Sequence, residues 1–420
     1  MEQPDFVTPE HPEDTTHQSR REMLRRLGLA GVAAGIVGAA APRPLAAQDW
    51  RAPVPDEDDV TPAPPPFAGV DGGLPPFSFP LESSTPTARP LGSIRWATQV
   101  QAPVLDGVAM ASLRLAPGGL RELHWHLNAA ELSYCLTGAG RIGIFAPDGS
   151  SETIAITPGS ITFVPNGYTH YIENTGPDEL HLVVGFTHAR PDTTDFSEAL
   201  PAIPAPLLAQ TFESPVSAFP FLATQGDRII VPAPQGASET AAATPEPATP
   251  GPAQPSRYSV TVADLSTSQF VGGTVQPLTN QQIPALEGIT VFPLEAVPFG
   301  LREPHWHTNA GELNYCVSGH AQLGLIAPDG NVQTMAVDPG DIAYIPQNWF
   351  HYIANVGDEP LRFLIFFITP DARVMTINLS QTFGVVPAEI LAASFGIDPA
   401  LFAALPKNGT VGIAGPLPPG

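Results

Sequence analysis

The stretch Leu120–Cys135, LRELHWHLNAAELSYC, decides the fold because the chain contains it twice: Leu301–Cys316 reads LREPHWHTNAGELNYC. Each copy has His-x-His, four intervening residues and then Glu, and each is followed by one more histidine, in GYTHYIEN and in NWFHYIAN. Corresponding positions have a constant offset in the numbering, since 305 − 124 and 351 − 170 both give 181. The chain is therefore a tandem duplication, and its two halves have one architecture.

The spacing within each copy predicts a metal site. Residues i and i+2 of a strand share one face, so both histidines of each triplet point into the same interior. The Glu lies on the next strand, and the later His comes from a distant strand. Three imidazoles and a carboxylate suit a divalent transition metal. The alternative is that these histidines only satisfy hydrogen bonds in the core. That alternative does not explain why two complete sets recur in register. The candidate ligands are His124, His126, Glu131 and His170 in the first half and His305, His307, Glu312 and His351 in the second.

Composition limits the fold and the partners. The net charge is −23, with 18 basic against 41 acidic side chains, so neither nucleic acid nor an anionic membrane is an expected partner. With 51 prolines, 38 glycines and 43% apolar residues, the chain fits short strands joined by turns. We predict an all-β protein of two tandem antiparallel barrels, with short helices around Pro206–Phe212 and Pro387–Phe395.

The N-terminus reads as a targeting segment. Arg20-Arg21 precedes a weakly hydrophobic stretch, Leu27–Ala41, an arrangement typical of twin-arginine export signals. An amphipathic arm or an uncleaved anchor are the alternatives. Export to the periplasm or the outside follows, with no stable membrane span in the mature chain. The predicted organisation is a signal (1–47), a Pro-rich arm (48–76), the first barrel (77–230), a Pro/Ala/Thr-rich linker (231–256), the second barrel (257–406) and a tail (407–420).

The two cysteines, Cys135 and Cys316, are related by the same offset as the candidate ligands. They share strand parity with the two candidate glutamate ligands, so we expect both to point inward in separate barrels. A metal-ligand or disulfide role is the alternative, but free cysteine is among the most buried residue types. We therefore predict two buried free thiols.

The motif residues of the first half resemble the cupin family. They are Gly118-x5-His124-x-His126-x4-Glu131-x6-Gly138 and then Gly159-x5-Pro165-x-Gly167-x2-His170-x3-Asn174. The second half follows the pattern from His305 to Asn355, with Phe299 and Asn348 where the family has glycine. Two such copies look like a bicupin of the oxalate decarboxylase group. The resemblance implies two cupin (double-stranded β-helix, or jelly-roll) barrels, Mn²⁺ at both sites, two per chain, and often a homo-oligomer.

Arg121 and Arg302 stand three residues before each HWH triplet. In this family the arginine here binds substrate, and a guanidinium fork suits a carboxylate. Simple alternation would point both arginines away from the histidines, so this role needs a bulge, for which Gly118-Gly119 and Gly300 are candidates. The alternative is a surface arginine at the start of a strand.

The resemblance implies Mn-dependent decarboxylation of oxalate, or of a similar small dicarboxylate, to formate and carbon dioxide. The family's lid glutamate is missing from His188–Asp195 (HARPDTTD), and Ile365 stands where the second barrel has its glutamate. On this segment only His188, Asp192 or Asp195 could donate a proton, and Asp192 is the best-placed candidate. Oxalate oxidase chemistry, or another metal-dependent cupin oxygenase using dioxygen, is one alternative. A non-catalytic metal-binding or storage bicupin is the other.

Overall fold

A computed structural model of the protein describes residues 74–223, 228–234, 255–370, 372–403, 405 and 411–416. The predicted signal, nearly all of the predicted arm and most of the predicted linker lie outside these ranges, and they stay predictions. Within the described ranges, no helix is both long enough and apolar enough to cross a membrane.

The strands of the described residues from 74 to 234 are short. They are β1 Ser78–Phe79, β2 Thr87–Arg89, β3 Gly92–Ala97, β4 Ala109–Leu115, β5 Gly119–His126, β6 Glu131–Thr137, β7 Gly140–Phe145, β8 Ser151–Ile156, β9 Ser160–Val164, β10 Thr169–Asn174, β11 Leu180–Phe186, β12 Thr193–Asp195 and β13 Ile230–Pro232. Two α-helices lie between β12 and β13, namely α1 Phe196–Ala199 and α2 Ala205–Thr211. The second of these is the helix predicted near Pro206–Phe212.

The second half repeats this order. Its strands are β14 Ser259–Thr261, β15 Ser268–Phe270, β16 Gly273–Val275, β17 Ile289–Ala296, β18 Leu301–His307, β19 Gly311–Ser318, β20 Ala321–Ile326, β21 Val332–Val337, β22 Ile342–Ile345, β23 Phe350–Asn355, β24 Leu361–Ile368, β25 Thr376–Asn378 and β26 Ile413–Ala414. Its α-helices are α3 Leu379–Val385, α4 Ala388–Phe395 and α5 Pro399–Ala403. The helix predicted near Pro387–Phe395 is therefore present.

Each half is a pair of facing antiparallel sheets. In the first half the orders are β14-β9-β6-β11-β4-β3-β2 and β12-β5-β10-β7-β8, with β13 also paired to β5. In the second half they are β1-β22-β19-β24-β17-β16-β15 and β21-β20-β23-β18-β25, with β26 also paired to β18. This confirms the all-β fold of two tandem jelly-roll domains, although the sheets do not close into continuous barrels.

The halves exchange their first strands. β1 precedes the first half but pairs with β22, with Phe79 opposite Ile342. β14 precedes the second half but pairs with β9, with Val260 opposite Ile161. The boundaries expected at residues 77 and 257 therefore do not separate the sheets cleanly. Strands of two or three residues carry no pattern of their own, and each covers an edge that would otherwise be unpaired.

The two seven-stranded sheets have both faces covered. One face of β11 and its neighbours packs on the six-stranded sheet of the first half, while Met110 and Val183 join the apolar cluster that contains Phe366 of the second half. A Cβ on Gly185 would come within 2.7 Å of the Phe366 ring. Since both faces are buried, β11 (LHLVVGF) and β24 (LRFLIFFI) read as nearly continuous apolar runs rather than alternating ones.

Two segments expected to be irregular contribute strands. Ile413 lies in the predicted tail but is fully buried and pairs with Arg302 on β18. Val231 lies in the predicted linker but belongs to β13, in which Ile230 pairs with Arg121 on β5. Both short strands contribute a buried isoleucine and cover the start of a strand that carries candidate ligands. The prolines and glycines around these two strands are typical of irregular segments, so sequence analysis did not predict strands there.

Two candidate metal centres

The structure brings each predicted ligand set together. In the first centre, His124 and His126 lie on β5, His170 lies opposite His124 on β10, and Glu131 comes from β6 of the facing sheet. One donor atom from each of the four residues lies within 4.8 Å of all the others, and all four residues are buried. The centre therefore lies between the two sheets of the first half.

The second centre has the same construction. His305 and His307 lie on β18, His351 lies opposite His305 on β23, and Glu312 comes from β19 of the facing sheet. The four donor atoms again lie within 4.8 Å of one another, and the residues are again buried. The rings of His305 and His351 are 4.1 Å apart between centroids, against 4.0 Å for His124 and His170.

A hydrogen bond at Nδ1 orients every one of the six imidazoles. Four rings reach backbone oxygens: His124 to Glu122 at 2.7 Å, His170 to Tyr168 at 3.1 Å, His305 to Glu303 at 2.7 Å and His351 to Trp349 at 2.9 Å. The other two rings meet hydroxyls, His126 at Thr193 (3.0 Å) and His307 at Thr376 (2.9 Å). A carbonyl can only accept, so those four Nδ1 atoms carry the proton and their Nε2 lone pairs face the centre. This is how metal-bound histidines are usually held.

The protonation states also suit a cation. Burial lowers the pKa of His124 and His305 well below the ordinary value, and it lowers that of His126 and His307. Burial alone would raise the pKa of Glu131, but His170 and His126 outweigh it and the pKa falls. An ionised carboxylate therefore lies beside the neutral imidazoles of His124 and His126, and the same causes act on Glu312, His305 and His307 at the second centre.

The donor geometry fits a six-coordinate divalent ion. Donors at about 2.1 Å from an ion stand about 3 Å apart when adjacent and about 4.2 Å apart when opposite. Nε2 of His307 lies 2.8 Å from a carboxylate oxygen of Glu312, the separation expected for adjacent metal ligands, but the two atoms are not aligned for a hydrogen bond. This buried nitrogen therefore has no hydrogen-bond partner among the described residues, as expected for an atom that binds a metal. Four protein donors leave two positions for other ligands.

The bulge that the arginine role requires is present in both halves. On β5, Arg121 pairs with Ile172 and His124 pairs with His170, so three steps on one strand match two on the other. The same shift separates Arg302 from His305 on β18. Both arginines line the cavity of their centre. The bulge lies after the arginines, not at the preceding glycines where sequence analysis placed it.

A buried glutamate anchors each bulge, which sequence analysis missed. Glu122 accepts hydrogen bonds from the backbone N–H and the hydroxyl of Ser197, at 3.0 and 2.7 Å. Glu303 accepts the same two bonds from Ser380, both at 2.9 Å, and another from the N–H of Gly412 at 2.6 Å. The repetition of the glutamate in both Leu-Arg-Glu triplets was the one sign of this role in the sequence. The serines that these glutamates bind are distant in the sequence, so the contact itself could not be predicted.

The two arginines have different partners. Nη2 of Arg121 lies 2.7 Å from Oδ1 of Asp195, an ion pair with both side chains below a tenth exposed. Nη1 of Arg302 instead donates to Oδ1 of Asn378 at 2.9 Å. Burial lowers the pKa of Arg302 to about 10, outweighing its acidic neighbours, so the guanidinium keeps its charge at neutral pH.

Asp192, the predicted proton donor, is exposed in this structure. Its carboxylate accepts a hydrogen bond from the Asn128 side chain at 3.2 Å, and its backbone N–H donates to the same amide at 2.8 Å. It is not among the residues that line the first cavity, which the neighbouring Thr193 does line. The structure therefore brings the candidate ligands and arginines together but leaves Asp192 outside.

The cavities differ greatly in size. The first, about 30 Å³, is lined by Arg121 and the first centre together with Trp96. The second, about 220 Å³, is lined by Arg302 and the second centre together with Pro277. Among the described residues lining the two cavities, the only carboxylic acids belong to the candidate ligands Glu131 and Glu312.

The cysteines are buried free thiols, as predicted. Cys135 is 1% exposed and Cys316 is fully buried. Burial raises the pKa of each thiol to about 12, so neither is a reactive thiolate at neutral pH.

Comparisons with known proteins agree with this geometry. The profile of the Cupin family matches residues 81–215 and 261–401. The chain is 27% identical to oxalate decarboxylase OxdC of Bacillus subtilis over 72% of its length and 77% of the relative's. It is 28% identical to a probable oxalate decarboxylase of Arthroderma benhamiae, over 73% and 75%. A solved structure of the Bacillus subtilis enzyme, from work on its Mn(II) centres, superposes with a TM-score of 0.72 at 23% identity, covering 81% of this chain and 89% of that one.

Proposed function

The chain belongs to the cupin family, and from that premise we propose that it is a metal-dependent enzyme that converts oxalate to formate and carbon dioxide. One observation carries the proposal: at the second centre, a complete three-His-one-Glu set and an arginine line one cavity of about 220 Å³. An ion beside a guanidinium is a binding arrangement for a small carboxylate. The relatives named oxalate decarboxylases support oxalate as that carboxylate.

We propose Mn²⁺ as the ion, two per chain, held by the two ligand sets. The donors are nitrogen and oxygen without thiolate, and the Bacillus subtilis relative is described with Mn(II) centres. A bound Mn²⁺ would supply a Lewis acid and a redox-active ion next to the substrate. The histidines' bonds at Nδ1 fix the ligand orientations before the ion arrives.

The chain's own residues then orient the substrate and exclude water. Arg302 offers its guanidinium to a carboxylate, while Phe367 and Leu294 line the same cavity with apolar surface. The overall reaction takes one proton per oxalate dianion and gives formate and carbon dioxide. That proton must reach the carbon left behind when carbon dioxide leaves, so an acid has to lie within hydrogen-bonding reach.

A second candidate, oxidation of oxalate by dioxygen, is favoured by one observation. Apart from Glu131 and Glu312, the described residues that line the cavities include no carboxylic acid, and Asp192 is exposed. Without a proton donor, the two electrons left after decarboxylation pass to dioxygen. Oxalate, dioxygen and two protons then give two molecules of carbon dioxide and one of hydrogen peroxide.

One assay separates the candidates. Mn-replete protein and chelator-treated protein are incubated with oxalate under air, and formate and peroxide are measured in the same reaction. We expect formate as the main product, only with the metal present. Peroxide alone would make the protein an oxidase, and no turnover by the Mn-replete protein would remove oxalate as the substrate.

The proton donor is tested by Asp192→Asn in the same assay. If Asp192 delivers the proton after a movement of residues 188–195, the variant shifts product from formate toward peroxide or loses activity. An unchanged ratio removes it from the reaction. Thr194→Ala on the same segment is the matched control, because it leaves the carboxylate in place.

We also propose that the protein is exported through the twin-arginine route. The support is the Arg20-Arg21 pair before a short, weakly hydrophobic region. Such export carries folded proteins, so the metal would be acquired in the cytoplasm, where metal availability selects the ion although raw affinity favours Cu²⁺ and Zn²⁺ over Mn²⁺.

A further inference from the structure

The two centres have the same ligands but different charge at one matched position. Asp195 is the register partner of His124, and Asn378 is the register partner of His305. Both side chains contact the arginine of their centre, at 2.7 Å and 2.9 Å. The acid at the first centre is thus an amide at the second.

The other partners of the arginines match. Arg121 donates to the backbone oxygen of Ile229 at 3.1 Å, and Arg302 donates to that of Gly412 at 3.0 Å. The buried glutamates that anchor the bulges are present in both halves. Among the described residues that contact the two guanidinium groups, the difference is therefore one unit of negative charge, on Asp195.

That charge decides what the arginine can do. At the first centre, the carboxylate of Asp195 already forms an ion pair with the guanidinium, although its Oδ1 is not aligned for a hydrogen bond, and both groups are buried. An incoming carboxylate would have to displace it and leave a buried anion unpaired, which is costly. At the second centre, the described oxygens that accept from the guanidinium, those of Asn378 and Gly412, are neutral, so an incoming carboxylate adds a counter-charge.

The cavity volumes point the same way by an independent route. The first cavity, about 30 Å³, holds about one or two water molecules, whereas oxalate has six heavy atoms and needs roughly three times the volume of a water. The second cavity, about 220 Å³, has that room. Trp96 lines the first and contacts the Phe186 ring at 5.6 Å between centroids, while Pro277, its counterpart in the duplication, lines the second.

We propose that the second centre takes the small carboxylate anion and that the first does not, because Asp195 forms an ion pair with Arg121, whereas the matched residue Asn378 brings no counter-charge to Arg302. This rests on the proposed function for the choice of oxalate and formate as ligands. The first centre then serves as a closed metal site that holds the sheets of its half together.

The test counts anions by isothermal titration calorimetry, with oxalate and separately with formate, on metal-loaded full-length protein. We expect one anion per chain. Arg302→Gln and Asn378→Asp should each raise the Kd of the anion by about tenfold or more. Arg121→Gln should leave that Kd within about twofold of the wild-type value. Asn378→Asp is a mild change, since the chain already accommodates an aspartate at the matched position of the first half.

Metal content near two per chain and an unchanged melting temperature show that each variant has kept its fold. Two anions per chain, or loss of binding in Arg121→Gln with retention in Asn378→Asp, would overturn the proposal. The outcomes separate it from the proposed function. If one anion binds at the second centre but no formate is produced, this inference stands and the proposed decarboxylation is wrong. If formate is produced but the anion binds at Arg121, the proposed decarboxylation stands and this inference is wrong.

Discussion

Removing the charge of Glu82 should weaken the junction between the halves in a pH-dependent way. Glu82 lies just after β1, the strand that the first half gives to the second. Its carboxylate contacts Arg114 at 2.9 Å, His181 at 3.2 Å and the Tyr315 hydroxyl at 3.3 Å. Burial would raise the pKa of Glu82, but His181, Ser112 and Arg114 outweigh it and lower the pKa from 4.5 to about 2.

The two pKa values give the size of the effect. Their difference corresponds to about 3 kcal/mol of stability in favour of the ionised folded state, and partial contact of the side chain with solvent reduces this to about 2–3 kcal/mol. The folded-state pKa is below the unfolded one, so this contribution is fully present above pH 4.5 and is lost as the pH falls toward 2. By about pH 3, less than about half of it remains.

We therefore expect Glu82→Gln to lower the free energy of unfolding by about 2–3 kcal/mol at pH 7 and by less than half as much at pH 3. Urea unfolding of wild type and variant at both pH values measures this, and loss of metal in acid cancels in the difference. Glu179→Gln is the control, since that side chain also contacts Arg114 but is 51% exposed, and it should change stability by less than about 0.5 kcal/mol. Equal losses at both pH values would refute the electrostatic explanation.

Three other outcomes are expected. His126→Ala and His307→Ala should each halve a metal content of about two per chain, and an unchanged content would remove that half's ligand assignment. Cys135 and Cys316 should be counted as two thiols in denaturant and be unreactive in the native protein, whereas a disulfide would mean that the halves are misplaced. Replacing the arginine pair at 20–21 with lysines should keep the precursor in the cytoplasm, and normal export of that variant would dismiss the signal.

The ligand sets could be predicted from the sequence because each half of the duplication contains the same residues at the same spacing, so each set supports the other. Strand parity puts His124 and His126 on one face, and the constant offset between the halves repeats the whole set. The strand exchange could not be predicted in this way. β1 and β14 are too short to show a period, and their partners lie far away in the sequence.

The need for a bulge could be predicted from the sequence, but its position could not. Alternation alone says that Arg121 and His124 cannot share a face, so an irregularity between them follows from the proposed role. Its position depends on Glu122, whose bonds to Ser197 draw the extra residue inward. A contact between residues so far apart in the chain leaves no local pattern.

The charge difference between the centres is hidden for a simpler reason. The segment after the last core strand is longer in the second half, so the constant offset aligns Asp195 with Thr376 rather than with Asn378. Only the pairing of both strands with the ligand strands shows that Asp195 and Asn378 occupy one position. Metal ligands tolerate little change, because each must reach the ion at a fixed distance. A neighbour that touches only the arginine can change its charge without loss of the metal, so divergence between duplicated centres is most easily accommodated there.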